Sequence, residues 1–462
     1  MDFAHDQDLF SWIAKDIIVN HHPRLLGQLT SAEGIFIGPL FYYMLVPFIL
    51  LFNMDPVGTF IPITVIGILT TLSYYFVFSK LFNIRTGLIA AFLHAVLISW
   101  AGFDRRIVPS SPSNLWVIWY FYTIINLTRG NLKVFPILGI LAGTIWHFHI
   151  ALAPAFLPLP LALLFAKKFP NLKQIGWASL GFLLPSIPLI LFETRHNFQQ
   201  TFSLINNFTG NHGGSSGGYK LFLVLEMITK NLNGLLLSPQ ELPKNMKIIV
   251  PIILFMMGIF NVYKKLYSVK EFIVLLIWIF GVVVFFSLNS SPIAEYYFYS
   301  IEVIFISFFT LFLSYFFKKY RYAKYLIFVL FGVALIKNFY FYTTITVYNK
   351  GYVEKKALVE YVVNDAKNND YPCYAISYIT SIGENVGFRY FFYIKNQHLI
   401  RPDLDIPVYN IVIPEEYSSE VNKKFGHIGL ILPNREIDRQ TLKIKCAGEN
   451  INLTDPMFGY VQ

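Results

Sequence analysis

Apolar runs of about 20 residues recur between Val57 and Thr344, separated by short gaps rich in lysine and arginine. Coiled into a helix at 1.5 Å per residue, such a run matches the hydrocarbon thickness of a bilayer. The pattern predicts about ten spans: Val57–Ser79, Thr86–Gly102, Ser113–Leu127, Val134–Ala151, Leu152–Ala166, Gln174–Phe192, Met246–Tyr263, Glu271–Leu288, Glu295–Phe317 and Ala323–Thr344. Gly38–Phe52 is also apolar, but counting it as a span would reverse the side of every later basic gap. It is therefore read as a helix in the outer interface, a position that suits Tyr42, Tyr43 and Pro47. Upstream, Leu9–Asn20 has amphipathic helical spacing, headed by Asp6 and Asp8. The texture changes near Tyr348. Val353–Lys367 predicts an amphipathic helix, and Tyr374–Ile379, Val408–Ile413, Ile428–Leu432 and Leu442–Lys445 predict short strands.

Alternate gaps carry the cations, from Lys80 and Arg85 through Arg129, Lys133, Lys167, Lys168 and Lys173 to Lys264, Lys265, Lys270, Lys318, Lys319, Arg321 and Lys324. One registration satisfies all of them, with these gaps on the cytoplasmic side. Parity then places Met1–Pro56, Phe103–Pro112, Glu193–Asn245, Asn289–Ala294 and Ile345–Gln462 outside. The Gly-rich stretch Asn206–Gly218, with GNHGGSSGG in it, is expected to be a mobile outer loop. The expected fold is thus mainly α. An acidic outer segment with interfacial helices (1–56) precedes a transmembrane helical bundle (57–344) and a small extracytoplasmic α/β domain (345–462).

Composition agrees with this. The 462 residues are 55% hydrophobic and only 14% charged, against roughly 25% charged in soluble proteins. The net charge of +10 would suit a nucleic-acid partner only if it formed a basic face on a soluble module. Here it is spread through the gaps as topology signals, so nucleic acid is excluded as a partner. Two cysteines, Cys373 and Cys446, are too few for a disulfide scaffold or a Cys-based metal site. A disulfide between them and two separate buried thiols are both open.

Polar residues in or beside a bilayer are the functional candidates, and here they gather at the outer rim. They are Asp6, Gln7 and Asp8; Arg24 and Glu33; Asp104, Arg105 and Arg106; His147 and His149; Glu193, Arg195 and His196; and Glu295. Each has a plain structural reading as helix cap, interfacial anchor or satisfied histidine. Together they offer carboxylates, guanidinium groups and imidazoles beside an apolar bundle, a combination that suits a lipid phosphate. Inside the spans, Glu302 and Lys337 both fall about 10 Å below the outer boundary on consecutive helices, which predicts that they pair.

The order of motifs resembles bacterial membrane glycosyltransferases of the GT-C class, close to glycosyltransferase family 39, the wider group of protein O-mannosyltransferases and the aminoarabinose transferase. The matching stretches are HDQDLFSWIAKDI (His5–Ile17), LTSAEGIFIGPLFYYMLVPF (Leu29–Phe48), SKLFNIRTGLIAAFLHA (Ser79–Ala95), HFHIALAP (His147–Pro154) and LILFETRHNF (Leu189–Phe198). The resemblance implies a polyprenyl-phosphate sugar donor and transfer to a lipid, glycan or protein acceptor outside the cytoplasmic membrane. It makes Asp6 the base or acceptor-positioning carboxylate, supported by Gln7 and Asp8. Where many members have Glu this chain has Gln7, so a divalent metal at the pair is open but unsupported, and no cofactor is called for. Members usually open with an outward-running span before the acidic loop, whereas this chain begins inside the motif; a late start of the sequence is the expectation. A departing lipid phosphate needs cationic donors, and Arg105, Arg106, His149 and Arg195 are the candidates. Rival readings are an outer-face polysaccharide polymerase or ligase, and a lipid or sugar transporter. The transporter would need polar midplane sites on broken helices, which the spans do not show.

Overall fold

The computed structural model describes residues 3–30, 34–209, 218–238, 242–289, 293–344, 351–403, 405–434, 438–448 and 450. They fall into two compact units. One gathers Met1–Pro23, Tyr42–Pro62 and Ile345–Gln462, and the other Arg24–Phe41 and Ile63–Thr344.

In the first unit, a four-stranded sheet is built from β1 (Ala375–Thr380), β2 (Val408–Ile413), β3 (Lys423–Phe425) and β4 (Ile428–Ile431), in the order β1-β2-β4-β3. β1 and β2 run parallel, Ala375 opposite Val408, while β4 runs antiparallel to β2 and to β3. Helix Tyr352–Asn368 covers the sheet with Leu358, Val359 and Val362, which meet Tyr409, Ile411 and Ile413 in one apolar core. The sequence predicts a strand at Leu442–Lys445, but these residues lie in helix Arg439–Lys445. The Asp438 side chain accepts from Thr441 N at 2.9 Å and starts that helix. The short strand Lys423–Phe425, too polar to stand out, takes the edge instead. Cys373 and Cys446 are joined in a disulfide, with Cα atoms 5.6 Å apart.

The amino-terminal segment belongs to this same core. Phe3 is fully buried among Tyr352 and Phe391. Trp12 of helix His5–Val19 meets Tyr390 edge-on at 4.9 Å. The ammonium of buried Lys355 donates to the carbonyls of Phe3 and Val386, both at 2.8 Å. Asp55 binds Lys356 at 2.7 Å and also accepts from the Tyr352 hydroxyl. Burial pushes the Asp55 carboxyl up, but hydrogen bonds from Lys356, Tyr352 and Val57 N outweigh it and hold the pKa below the usual carboxylate range.

The second unit is helical. Among the described residues, and counting the turns that lead into them, six helices are long and apolar enough to cross a bilayer: Pro56–Leu81, which begins in the first unit, Leu172–Arg195, Lys244–Tyr263, Val269–Leu288, Glu295–Lys319 and Arg321–Thr344. The chain is a multi-pass membrane protein. Ser113–Leu127 forms a helix of about the expected length, Ser113–Thr128, while the other apolar segments form shorter or divided helices. Thr86–Gly102 divides at Leu97, whose extended backbone ends helix Ile84–Val96 and begins Ile98–Phe103. Leu152–Ala166 opens as a 3₁₀ turn over Ile150–Phe156 before helix Leu159–Ala166, because Pro154, Pro158 and Pro160 withdraw backbone donors. The long segment Glu193–Asn245, expected outside, carries helices Gln199–Thr209 and Gly218–Leu237. Most of the expected mobile loop, residues 210–217, lies outside the described residues.

Helix Tyr299–Lys319 is the centre of the bundle: 72% of its most apolar stretch is buried, against 6% for Arg321–Thr344 and 11% for Leu172–Arg195. The latter two turn Phe328, Val333, Ile336, Leu184 and Ile187 outward, as helices solvated by lipid do. Where Phe135–Phe148 crosses Leu172–Arg195, two glycines bring the backbones together. A Cβ on Gly139 would lie 2.0 Å from the Ala178 carbonyl oxygen, and one on Gly143 2.5 Å from that of Phe182. The expected Glu302–Lys337 pair does not form. Trp100 Nε1 donates to Glu302 Oε2 at 2.7 Å, and Lys337 Nζ donates to the Leu237 carbonyl at 2.6 Å. The carbonyl end of helix Gly218–Leu237 is itself an attractive partner for a cation, and the indole satisfies the carboxyl.

Candidate functional site

The acidic candidates lie in the first unit, on the first two turns of helix His5–Val19. Asp6 is about half exposed, with its Oδ1 3.6 Å from His5 Nδ1. Gln7 and Asp8 turn inward, at 8% and 2% exposure. Gln7 Oε1 accepts from the Ala4 amide at 3.0 Å, capping the helix start, and its carbonyl accepts from Ser11 Oγ. That work is structural. Asp8 sits within electrostatic reach of Tyr378 and Tyr390. The geometry thus leaves Asp6 as the accessible carboxylate of the motif, with Gln7 fixing the turn that carries it and Asp8 buried.

The cationic candidates belong to the second unit. Arg105 and Arg106 are exposed on the loop after Ile98–Phe103. The Arg105 guanidinium lies 3.8 Å from the centre of the Tyr342 ring, a cation–π seat that holds its planar fork while leaving N–H groups for a ligand. Arg106 is within electrostatic reach of Tyr299, and its carbonyl accepts from Ser111 Oγ. His149 caps the end of Phe135–Phe148, and its Nδ1 accepts from the Ala151 amide at 3.0 Å. This bond puts the proton of the neutral ring on Nε2, as a donor. Its ring packs against Tyr296 and Tyr297 at 5.1 and 5.0 Å. Arg195 is exposed in the last turn of Leu172–Arg195. Among the described residues, no hydrogen bond, ion pair or ring contact joins Arg105, Arg106, His149 and Arg195 to one another.

Other members of the polar set expected at the outer rim have structural duties. His147 is satisfied on both nitrogens: Leu40 N donates to Nδ1 at 3.3 Å, and Nε2 lies 2.7 Å from the Pro185 carbonyl. Gly38 is obligatory beside it, since a Cβ there would sit 2.1 Å from Nδ1. Glu193 accepts from the amides of Gln200 and Thr201 at 3.1 and 3.0 Å, capping helix Gln199–Thr209. Glu295 is ion-paired with Lys230.

One carboxyl acquires a chemistry that its sequence position does not announce. Asp104, beside the two arginines, is folded inward, 13% exposed at the side chain. Gly67 makes room for it: a Cβ there would come within 3.3 Å of Asp104 Cβ. His94 Nε2 lies 3.7 Å from Asp104 Oδ2. Burial pushes the Asp104 pKa up to about 7, against a smaller opposing pull from the Asn114 amide. A carboxyl that titrates near neutrality is suited to proton transfer. In the sequence its signal is an acid at an apolar-to-basic boundary, next to two arginines.

Among the described residues, Glu415, Glu416 and His427 form a grouping with metal-ligand spacing. Lys424 already lies 3.0 Å from Glu415 Oε2 and competes for it.

No family model matches the chain, and no curated protein matches it. Solved structures do. The chain is similar to the crystal structure of ArnT from Cupriavidus metallidurans bound to undecaprenyl phosphate, with 12% identity over 93% of this chain and 93% of that one and a TM-score of 0.52. The apo structure of the same protein matches at 11% identity over 93% and 94% of the two chains, again with a TM-score of 0.52. At that identity the likeness establishes a shared fold.

Proposed function

We propose that this protein is a membrane glycosyltransferase that moves a sugar from a polyprenyl-phosphate donor to an acceptor on the outer face of the cytoplasmic membrane, with inversion. The observation that carries the reading is the fold likeness over nearly the whole of both chains to a protein bound to undecaprenyl phosphate. The bundle with its lipid-exposed apolar helices, the half-exposed Asp6 and the basic loop at Arg105 and Arg106 support it. The disulfide supports an extracytoplasmic carboxy-terminal domain, since such bonds persist in oxidising compartments.

In this reading the acceptor oxygen forms a bond to the anomeric carbon as the bond from that carbon to the donor phosphate breaks. The acceptor proton passes to a carboxylate, a role typically worth 10²–10⁴-fold, and the electron pair leaves on the phosphate. Asp6 is the proposed base. Arg105, Arg106, His149 Nε2 and Arg195 are the proposed donors to the phosphate oxygens as their charge grows. The near-neutral Asp104 favours a second assignment of the base, at the loop that holds the arginines.

The first test is mass spectrometry of the lipid that copurifies with the protein, where a polyprenyl-phosphate sugar is the expected finding. Transfer from labelled donor in membranes then separates the carboxylates. Asp6→Asn should lower turnover at least about 100-fold with donor binding retained. Near-normal turnover would move the role to Asp104, which Asp104→Asn then checks. Transfer of an oligosaccharide rather than a single sugar would favour the polymerase or ligase. Flux without covalent transfer would favour the transporter.

A further inference from the structure

The basic end of the second unit holds a cavity of about 480 Å³, lined in part by the starting turn of Ile84–Val96, the last turns of Tyr299–Lys319 and the turn after Ile249–Tyr263. Three of its lining residues are cations, Arg85, Lys318 and Lys319. Among the described residues, none of the three is ion-paired with a carboxylate; Lys319 Nζ lies 3.2 Å from the Tyr315 hydroxyl. Arg129, on another basic gap, shows the contrast: it is tied to Glu271 and, at 2.9 Å, to the Leu81 carbonyl. Lysines that only mark topology do not need a cavity between helices, and these line one.

The rest of the lining is also suited to a phosphate. Asn83 Oδ1 accepts from Thr86 N at 3.1 Å, fixing the positive end of helix Ile84–Val96 at the cavity. Buried Thr86 donates to buried Ser314 Oγ at 2.8 Å, so two hydroxyls lie together in the wall. Leu266 and Leu311 supply apolar surface beside the charges.

We propose that this cavity binds the phosphate headgroup of an anionic phospholipid of the cytoplasmic leaflet, its acyl chains running along the apolar helices. The side of the membrane rests on the placement of the basic gaps; the sugar-transfer reading is not needed. Basic pockets between membrane helices on the cytoplasmic side commonly take such headgroups, and the apolar wall favours a lipid over a free anion.

Native mass spectrometry of the full chain in mild detergent tests this, with phosphatidylglycerol, phosphatidylcholine or inorganic phosphate added in separate arms. Phosphatidylglycerol should be retained in preference to phosphatidylcholine. The triple variant Arg85→Gln, Lys318→Gln, Lys319→Gln should weaken that retention at least about tenfold, while retention of added undecaprenyl phosphate stays unchanged. The charge-conserving variant Arg85→Lys, Lys318→Arg, Lys319→Arg should keep it, and decides the matter if the glutamine variant does not fold. Equal retention of the two phospholipids overturns the proposal, as does unchanged retention in the glutamine variant or loss in the charge-conserving one. Displacement of the lipid by micromolar inorganic phosphate would assign the cavity to a soluble anion instead.

Discussion

The Asp104 carboxyl keeps its proton to about pH 7 because little water reaches it to solvate the charge. A carboxyl whose folded pKa is raised costs stability that is absent below its unfolded value near 4 and fully present above about 7. Asp104→Asn should therefore raise the thermal midpoint in detergent more at pH 8 than at pH 5, whatever it does to activity. An equal shift at both pH values would show that the group does not titrate in this range. At this scale the sequence was a partial guide. It marked the outer rim, but residue type alone could not divide it into histidines and acids already satisfied, such as His147 and Glu193, and groups left available, such as His149 Nε2. That division depends on which backbone amides a fold leaves needing a partner, and a linear reading does not see them.

At the scale of elements, the apolar runs and basic gaps made the helical membrane bundle legible, and the amphipathic helix and three of the four strands of the carboxy-terminal domain with it. Prolines and the bend at Leu97 make several expected spans shorter or divide them. Gly139 and Gly143, four residues apart, present a small-residue face on which Leu172–Arg195 packs backbone to backbone. Gly143→Val would push a branched side chain into the Phe182 carbonyl, at a cost of about 1–3 kcal/mol if the helices separate to admit it. The measurement is the thermal midpoint by size-exclusion fluorescence. Gly176→Val, on the same helix pair's exposed surface with open space around it, should change the midpoint little.

For the molecule as a whole, compartment and connectivity are linked. The disulfide closes a sequence separation of 73 residues, for which Cys373→Ser with Cys446→Ser should cost about 2–4 kcal/mol. In intact cells neither cysteine should react with a maleimide before reduction; two free thiols would contradict the proposed extracytoplasmic placement. The feature least visible in the sequence is that Phe3 and Trp12 share a core with residues beyond Tyr352, because nothing local records a contact across more than 300 positions. This has a consequence for biosynthesis. At roughly 5–20 residues per second, the ribosome needs some tens of seconds to go from the first helix to the strands it packs on. Throughout that interval, Phe3 and Trp12 lack the aromatic partners they pack on, and the acidic motif carried by their helix is not yet set in its final frame. The nascent chain thus has to keep an apolar surface from aggregating while the whole bundle is inserted, and the helix that carries Asp6 finds its packing partners only when the last domain has been translated.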